Sequence, residues 1–297
     1  MGPAIEYNFE PNSRPPLEAS KDDESTMTSA RPPIRLVVLD WAGTTVDFGC
    51  FAPVASFAGA LERHGVRATD AQVRRPMGTA KRDHLRALLS MPELASQWQA
   101  RHGRAWSEAD VDRIYAADYI PLQMAAIADH DRLVPGLLPV VGAIRERGLK
   151  IATTTGYFRE AARRVFDSAT GQGYTRDLDV LPDEVPAGRP APWMIFRAMQ
   201  DLGVYPPSSV VKVGDTESDI AEGVNAGAWS VGVVASGSEV GLSEADWAGL
   251  SDRERRAKVE EVRATFERAG AHAVIETLAE LPNLIDELGR RPEGPGR

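Results

Sequence analysis

Asp40 closes a short apolar run, Ile34-Arg35-Leu36-Val37-Val38-Leu39, and is followed at once by Trp41-Ala42-Gly43-Thr44-Thr45. The run is mostly β-branched and aliphatic, as in a strand buried on both faces, and the glycine after it marks a turn. A carboxylate there sits at the C-terminal end of the strand, the edge of an open α/β sheet where ligands bind. Backed by Gly43 and the hydroxyls of Thr44 and Thr45, it has three roles open to it: nucleophile, metal ligand or plain helix cap.

Later segments end in the same polar way. Ile151-Ala152-Thr153 runs into Thr154-Thr155-Gly156-Tyr157, Asp179-Val180-Leu181 leads to Pro186-Ala187-Gly188-Arg189-Pro190, and Val211-Lys212-Val213 runs into Gly214-Asp215-Thr216-Glu217-Ser218-Asp219. In a parallel sheet these ends converge with Asp40. Carboxylates crowded together repel, and a hard divalent cation relieves the repulsion; Mg²⁺ favours a few carboxylates with waters and substrate oxygens. Thr155, the Gly156 amide and Arg189 suit the non-transferring oxygens of a phosphoryl group.

The elements that must position these groups alternate. Beyond Val134 the pattern predicts helices over Leu137–Glu146, Arg159–Ala169, Trp193–Leu202, Asp219–Asn225 and Thr277–Leu288. Between and after them it predicts strands over Leu149–Thr154, Asp179–Leu181, Val210–Val213, Trp229–Val234 and His272–Ile275, with a charged helical stretch over Leu242–Ala269. That alternation predicts an α/β fold, a Rossmann-like parallel sheet with right-handed crossovers. Residues 49–132 read instead as helices, over Ala52–His64, Gly78–Ser90 and Ser107 to about Asp129, an inserted α-helical cap on a core of residues 32–48 and 133–288. Residues 1–31 read as a disordered extension and 289–297 as a flexible tail.

Composition narrows the partners. At 43% hydrophobic and 26% charged residues, with no run near the ~18 apolar residues a membrane helix needs, the chain reads as globular and without a membrane span. A net charge of −9 argues against nucleic acid and anionic membrane surfaces. The single cysteine, Cys50, excludes an intramolecular disulfide and thiolate metal clusters, which fits a reducing cytoplasm.

The order D-x-x-G-T-T, T-G, a basic residue, then G-D-x-x-x-D resembles the haloacid dehalogenase superfamily, in which the first aspartate takes a phosphoryl group covalently. Ordinary phosphatases of that superfamily carry a second aspartate two positions on, to protonate a departing alkoxide; here Ala42 stands there. Met77, Lys81 and His84 fall on one face of a helix if it continues back to residue 77. A lysine closed over a cationic pocket is desolvated and repelled, which lowers its pKa below about 10.4 and frees an amine able to form a Schiff base with an aldehyde.

With these residues, and with Gly49-Cys50-Phe51-Ala52-Pro53, Thr155-Gly156-Tyr157 and Trp193-Met194, the chain is similar to the phosphonatase family, the phosphonoacetaldehyde hydrolases, from about residue 34 to 280. The resemblance implies Mg²⁺-dependent hydrolysis of phosphonoacetaldehyde to acetaldehyde and phosphate in 2-aminoethylphosphonate degradation, by a homodimer. It implies Lys81 as the imine-forming residue, Asp40 as nucleophile and His84 as a proton shuttle. Asp40, the Ala42 carbonyl, Asp215 and Asp219 would hold the metal, Thr155, Gly156 and Arg189 the phosphonate, and Met77, Cys50 and Tyr157 would line the pocket. A phosphate-ester phosphatase or phosphomutase is the rival reading; it would not need Lys81 and would want an acid at position 42.

Overall fold

The computed structural model describes residues 33–291 and 293–296, so the extension expected over 1–31 lies outside the described residues. Strand β1 (Leu36–Leu39) is fully buried. Val37 and Leu39 pack with one helical layer and Leu36 and Val38 with the other, because successive side chains of a strand point to opposite faces.

Helices α1 (Phe51–Glu62), α2 (Asp70–Arg74), α3 (Lys81–Leu89), α4 (Pro92–His102), α5 (Glu108–Ile114) and α6 (Ile120–Ala126) follow. They enclose an apolar centre of their own, with Phe57, Leu61, Leu85, Leu88, Trp98 and Tyr119 at zero exposure. The expected helix over Gly78–Ser90 begins only at Lys81. Gly78 has φ +86°, in the left-handed region that an α-helix does not use, so Met77 stands on a loop and not on the Lys81 face of a helix. Helices α2 and α4 went unforeseen, although α4 carries plain signals, Pro92 at its start and a left-handed Gly103 after its end. The helix expected over Ser107 to about Asp129 opens with the Ser107 and Asp110 capping box. It is broken by a π-helical turn at Tyr115–Tyr119, just ahead of Pro121, which lacks the N–H needed to continue the α pattern.

The chain then alternates through α7 (Leu137–Glu146), β2 (Lys150–Thr154), α8 (Arg159–Gly171), β3 (Leu178–Val180), α9 (Trp193–Leu202), β4 (Val210–Gly214), α10 (Glu217–Ala226) and β5 (Trp229–Val233). It finishes with α11 (Glu244–Gly249), α12 (Asp252–Arg268), β6 (Ala273–Ile275) and α13 (Leu281–Arg290), which extends past Leu288 into the stretch read as tail. The six strands form one parallel sheet in the order β3-β2-β1-β4-β5-β6, with β1 inside it. The two crossings between sheet and cap run side by side. Val46 bridges Leu133 antiparallel, the Val134 N–H donates to the Thr45 carbonyl (2.9 Å) and the Asp47 N–H to that of Arg132 (3.2 Å). Among the described residues no helix is long and apolar enough to cross a membrane.

Candidate active site

Strand register decides what meets Asp40. Leu39 pairs with Thr153 of β2 and with Val213 of β4, so the chain leaves β1 between the Thr154 and Gly214 ends of its neighbours. The Asp40 N–H still donates to the Val213 carbonyl (3.0 Å), which fixes the carboxylate at the sheet edge.

Arg189 reaches in from the loop after β3 and is the hub. Its Nη2 lies 2.6 Å from Asp40 Oδ1 and 2.8 Å from Thr154 Oγ1; Nη1 lies 2.9 Å from Asp219 Oδ1, and Nε 3.1 Å from Glu222 Oε2. Lys212, buried in β4, adds its Nζ 2.8 Å from Asp219 Oδ1 and 3.2 Å from Glu222 Oε2, and donates to Thr154 Oγ1 (2.9 Å). Asp215 is held separately. Thr44 Oγ1 donates to its Oδ1 and the Ser238 N–H to its Oδ2, both at 2.8 Å.

Oxygens of Asp40, Asp215 and Asp219 all lie within 4.8 Å of one another, and all three side chains are buried. Burial raises Asp40 above the usual carboxylate range although Arg189 opposes it. Burial, with Asp40 and Asp219 beside it, pushes Asp215 well above that range. At Asp219 burial also raises the pKa, but Arg189 and Lys212 outweigh it and the carboxyl is lowered. Four buried carboxylates, Asp40, Asp215, Asp219 and Glu222, face two fixed cations, Arg189 and Lys212. The four carboxylates outnumber the two cations and offer only oxygen ligands, which fits a hard dication such as Mg²⁺. Asp40 and Asp215 are candidates to hold it, and Ala42 lines the adjoining cavity. Asp219 is engaged by Arg189, Lys212 and Thr216, so it supports the centre from behind.

The cavity over these groups is lined by Asp40, Ala42, Cys50, Met77, Gly78, Lys81, Thr155, Gly156, Tyr157, Arg189 and Thr216. Lys81, the first residue of α3, is only 6% exposed, and its Nζ stands 5.2 Å from the centre of the Tyr157 ring. Desolvation lowers its pKa, and the charge of Arg189 adds to the effect although Asp40 opposes it. Burial and the nearby carboxylates of Asp215 and Asp47 push the Cys50 thiol up, so it stays neutral. Thr155 Oγ1 accepts the Tyr157 N–H (3.0 Å), which leaves its own proton for a ligand. Cap and core touch tightly here. A Cβ at Gly156 would stand 2.5 Å from the Thr79 carbonyl oxygen.

His84 does not reach the cavity wall. Its ring stacks on Phe57 (centroids 3.8 Å apart), and its Nε2 lies 2.8 Å from the Val73 carbonyl, so that nitrogen carries the proton. Burial, and then the charge of Lys81, hold it well below the usual histidine range. Lys212 and Glu222 were absent from the residues singled out in the sequence. The signals were present: a lysine inside the apolar run Val210–Val213, and a glutamate three residues after Asp219 on the same helix face.

The haloacid dehalogenase-like hydrolase model matches residues 34–227, and a HAD-hydrolase-like model matches 186–281. Sheet order, inserted helices and carboxylate cluster agree with that class of hydrolase. Curated relatives named phosphonoacetaldehyde hydrolase match most of the chain. That of Syntrophobacter fumaroxidans is 46% identical over 86% of this chain and 92% of its own, and that of Bacillus cereus (strain B4264) is 43% identical over 87% and 97%. The crystal structure of a phosphonoacetaldehyde hydrolase-like protein from Oleispira antarctica matches with TM-score 0.85 at 37% identity, over 88% of this chain and 94% of that one. The chain belongs to the phosphonoacetaldehyde hydrolase family.

Proposed function

We propose that this protein hydrolyses the C–P bond of phosphonoacetaldehyde, yielding acetaldehyde and phosphate, by joint action of Lys81 and Asp40. The observation that carries the reading is that a desolvated lysine from the cap and a nucleophile-type aspartate from the sheet edge line one cavity, with Ala42 where an ester phosphatase needs an acid.

The neutral Lys81 amine adds to the aldehyde, and the carbinolamine takes one proton from solvent and expels water, giving an iminium. Asp40 then attacks phosphorus in line. The C–P electron pair passes into the iminium, leaving an enamine on Lys81 and an acyl phosphate on Asp40. No proton is needed on a departing oxygen, which accounts for Ala42. The enamine is protonated at carbon, one water releases acetaldehyde from Lys81, and a second releases phosphate from Asp40. Arg189, Thr155 and the Gly156 amide bind the phosphonate oxygens as charge shifts among them. Asp40, Asp215 and the Ala42 carbonyl, with Asp219 in support, would hold Mg²⁺, which when bound would offset the negative charge of the nucleophile and the phosphonate. The proton-shuttle role that the resemblance implies for His84 is not carried into this mechanism, since its ring turns into the cap against Phe57 and the Val73 carbonyl. Met77, Cys50 and Tyr157 give the aldehyde end an apolar wall. Assembly as a homodimer and placement in the cytoplasm and in 2-aminoethylphosphonate breakdown belong to the same proposal, on the family resemblance.

The test is borohydride trapping with phosphonoacetaldehyde and Mg²⁺, followed by peptide mapping. The expected adduct is on Lys81, and Lys81→Arg abolishes both the adduct and phosphate release. No adduct, with phosphate esters hydrolysed and Lys81→Arg active, would assign the protein to ester phosphatases.

A further inference from the structure

Cap and core also meet away from the cavity, at Arg74, the last residue of α2. The helix is held at its start by a reciprocal cap between Thr69 and Gln72. At its end the Arg74 guanidinium leaves the cap. Nη1 donates to the carbonyl of Gly49 (2.7 Å), in the crossing from sheet to cap, and to that of Ser238 (3.2 Å), in the loop after β5. The group lies over the Phe51 ring, 5.3 Å from its centre, and against the bare Cα of Gly241, where a Cβ would stand 2.7 Å from Nε.

Both acceptors lead back to the chemistry. The N–H of Ser238 is the donor to Asp215 Oδ2. The Gly49 N–H donates to the Ser236 carbonyl (2.8 Å), and Ser236 Oγ in turn donates to the Gly43 carbonyl (2.7 Å), in the turn that follows Asp40. One cap side chain is therefore tied to the loop that orients Asp215 and to the crossing about which the cap is attached. The charged pairs at the other seam make no such tie. Arg82 pairs with Glu108 and Asp112 inside the cap, and Arg159 with Asp183 and Glu184 inside the core.

We propose that Arg74 is a positioning residue that latches the cap closed, so that Lys81 stays desolvated over Asp40 while the Ser238 amide stays on Asp215. A guanidinium suits the task because it is always charged and can serve two carbonyls at once. The kinetic consequence rests on the role proposed for Lys81; closure itself does not, and is measured without turnover.

The experiment is site-resolved reductive methylation of the full-length protein with formaldehyde and dimethylamine–borane, read by peptide mass spectrometry. Lys81 reports on the cap, and Lys212, buried in β4, reports on the core. Arg74→Ala is expected to speed Lys81 labelling about tenfold, as loss of a charged hydrogen bond raises the open fraction, with Lys212 unchanged. Arg74→Lys, which keeps the charge on a shorter side chain, falls between the two, and Arg75→Ala, on an exposed neighbour, labels like the parent. In turnover Arg74→Ala lowers kcat and raises KM together, and Arg74→Lys recovers part of both. Unchanged Lys81 labelling in Arg74→Ala and Arg74→Lys overturns the latch; so does acceleration of Lys81 and Lys212 together, which would mark general loosening.

Discussion

Replacing Gly156 with alanine tests whether the seam between cap and core sets the geometry of the reaction. The added Cβ would lie 2.5 Å from the Thr79 carbonyl oxygen and 3.1 Å from that of Gly78, both backbone atoms with no rotamer to yield. An ordinary carbon–oxygen contact is about 3.3 Å, so the cap loop must withdraw by roughly 0.8 Å. Lys81 begins α3 two residues after Thr79, and that displacement passes directly to its amine. A misplacement of about 1 Å can cost about 10²-fold in rate, some 2.7 kcal/mol in the barrier. Gly156→Ala should therefore lower kcat/KM for phosphonoacetaldehyde by about that factor, measured by phosphate release, and slow borohydride trapping. Its melting temperature should stay near that of the parent, since the overlap is relieved by a small opening and not by repacking of the core. Gly142→Ala, in α7 with nothing within 4 Å, serves as control: activity unchanged and stability higher by about 0.5–1 kcal/mol. A Gly156→Ala enzyme within about threefold of the parent in kcat/KM would refute the claim that this seam positions Lys81.

Lys212→Met leaves Asp219 and Glu222 to share Arg189 in a dry site, and should lower stability by about 3–5 kcal/mol in urea unfolding, partly restored by adding Glu222→Gln; a loss under about 1 kcal/mol would mean that Arg189 alone balances those carboxylates. Imine formation needs the neutral amine, and burial lowers the Lys81 pKa from the ordinary lysine value. Trapping should thus rise with pH through a midpoint below that of an exposed lysine and fall away on the acid side; a midpoint at the ordinary lysine value would show that the amine is solvated.

The sheet was legible because each of its strands is a short apolar run that ends in a polar turn, and the helices between them stop at glycines. Cap detail was less legible. Helix α2 is five residues long and gives no period to read, and the start of α3 depends on Gly78, which takes a positive φ where the cap loop packs closely on Thr216 of the core. That is a tertiary contact, invisible to local spacing. Asp40, Thr155, Arg189, Asp215 and Lys81 could be picked out because each sits where a strand ends or in a motif of the family. Lys212 and Glu222 are harder to place, since a lysine in a buried strand becomes a counter-ion only when the chain turns from β4 into α10 and brings Asp219 and Glu222 back against it. His84 shares a helix face with Lys81, yet the ring turns into the cap, drawn by the Phe57 stack and the Val73 carbonyl.

The paired crossings between sheet and cap carry a consequence for how such a protein can be rebuilt. Val46 and Leu133 are antiparallel neighbours, so the chain departs and returns at nearly one point. A segment inserted there imposes almost no separation on the two ends that receive it. A hairpin turn of about two to five residues could close the sheet domain in its place, and a different helical module could be grafted onto the same pair of ends. The covalent link between the sheet and the inserted helices thus runs through one short antiparallel ribbon of backbone.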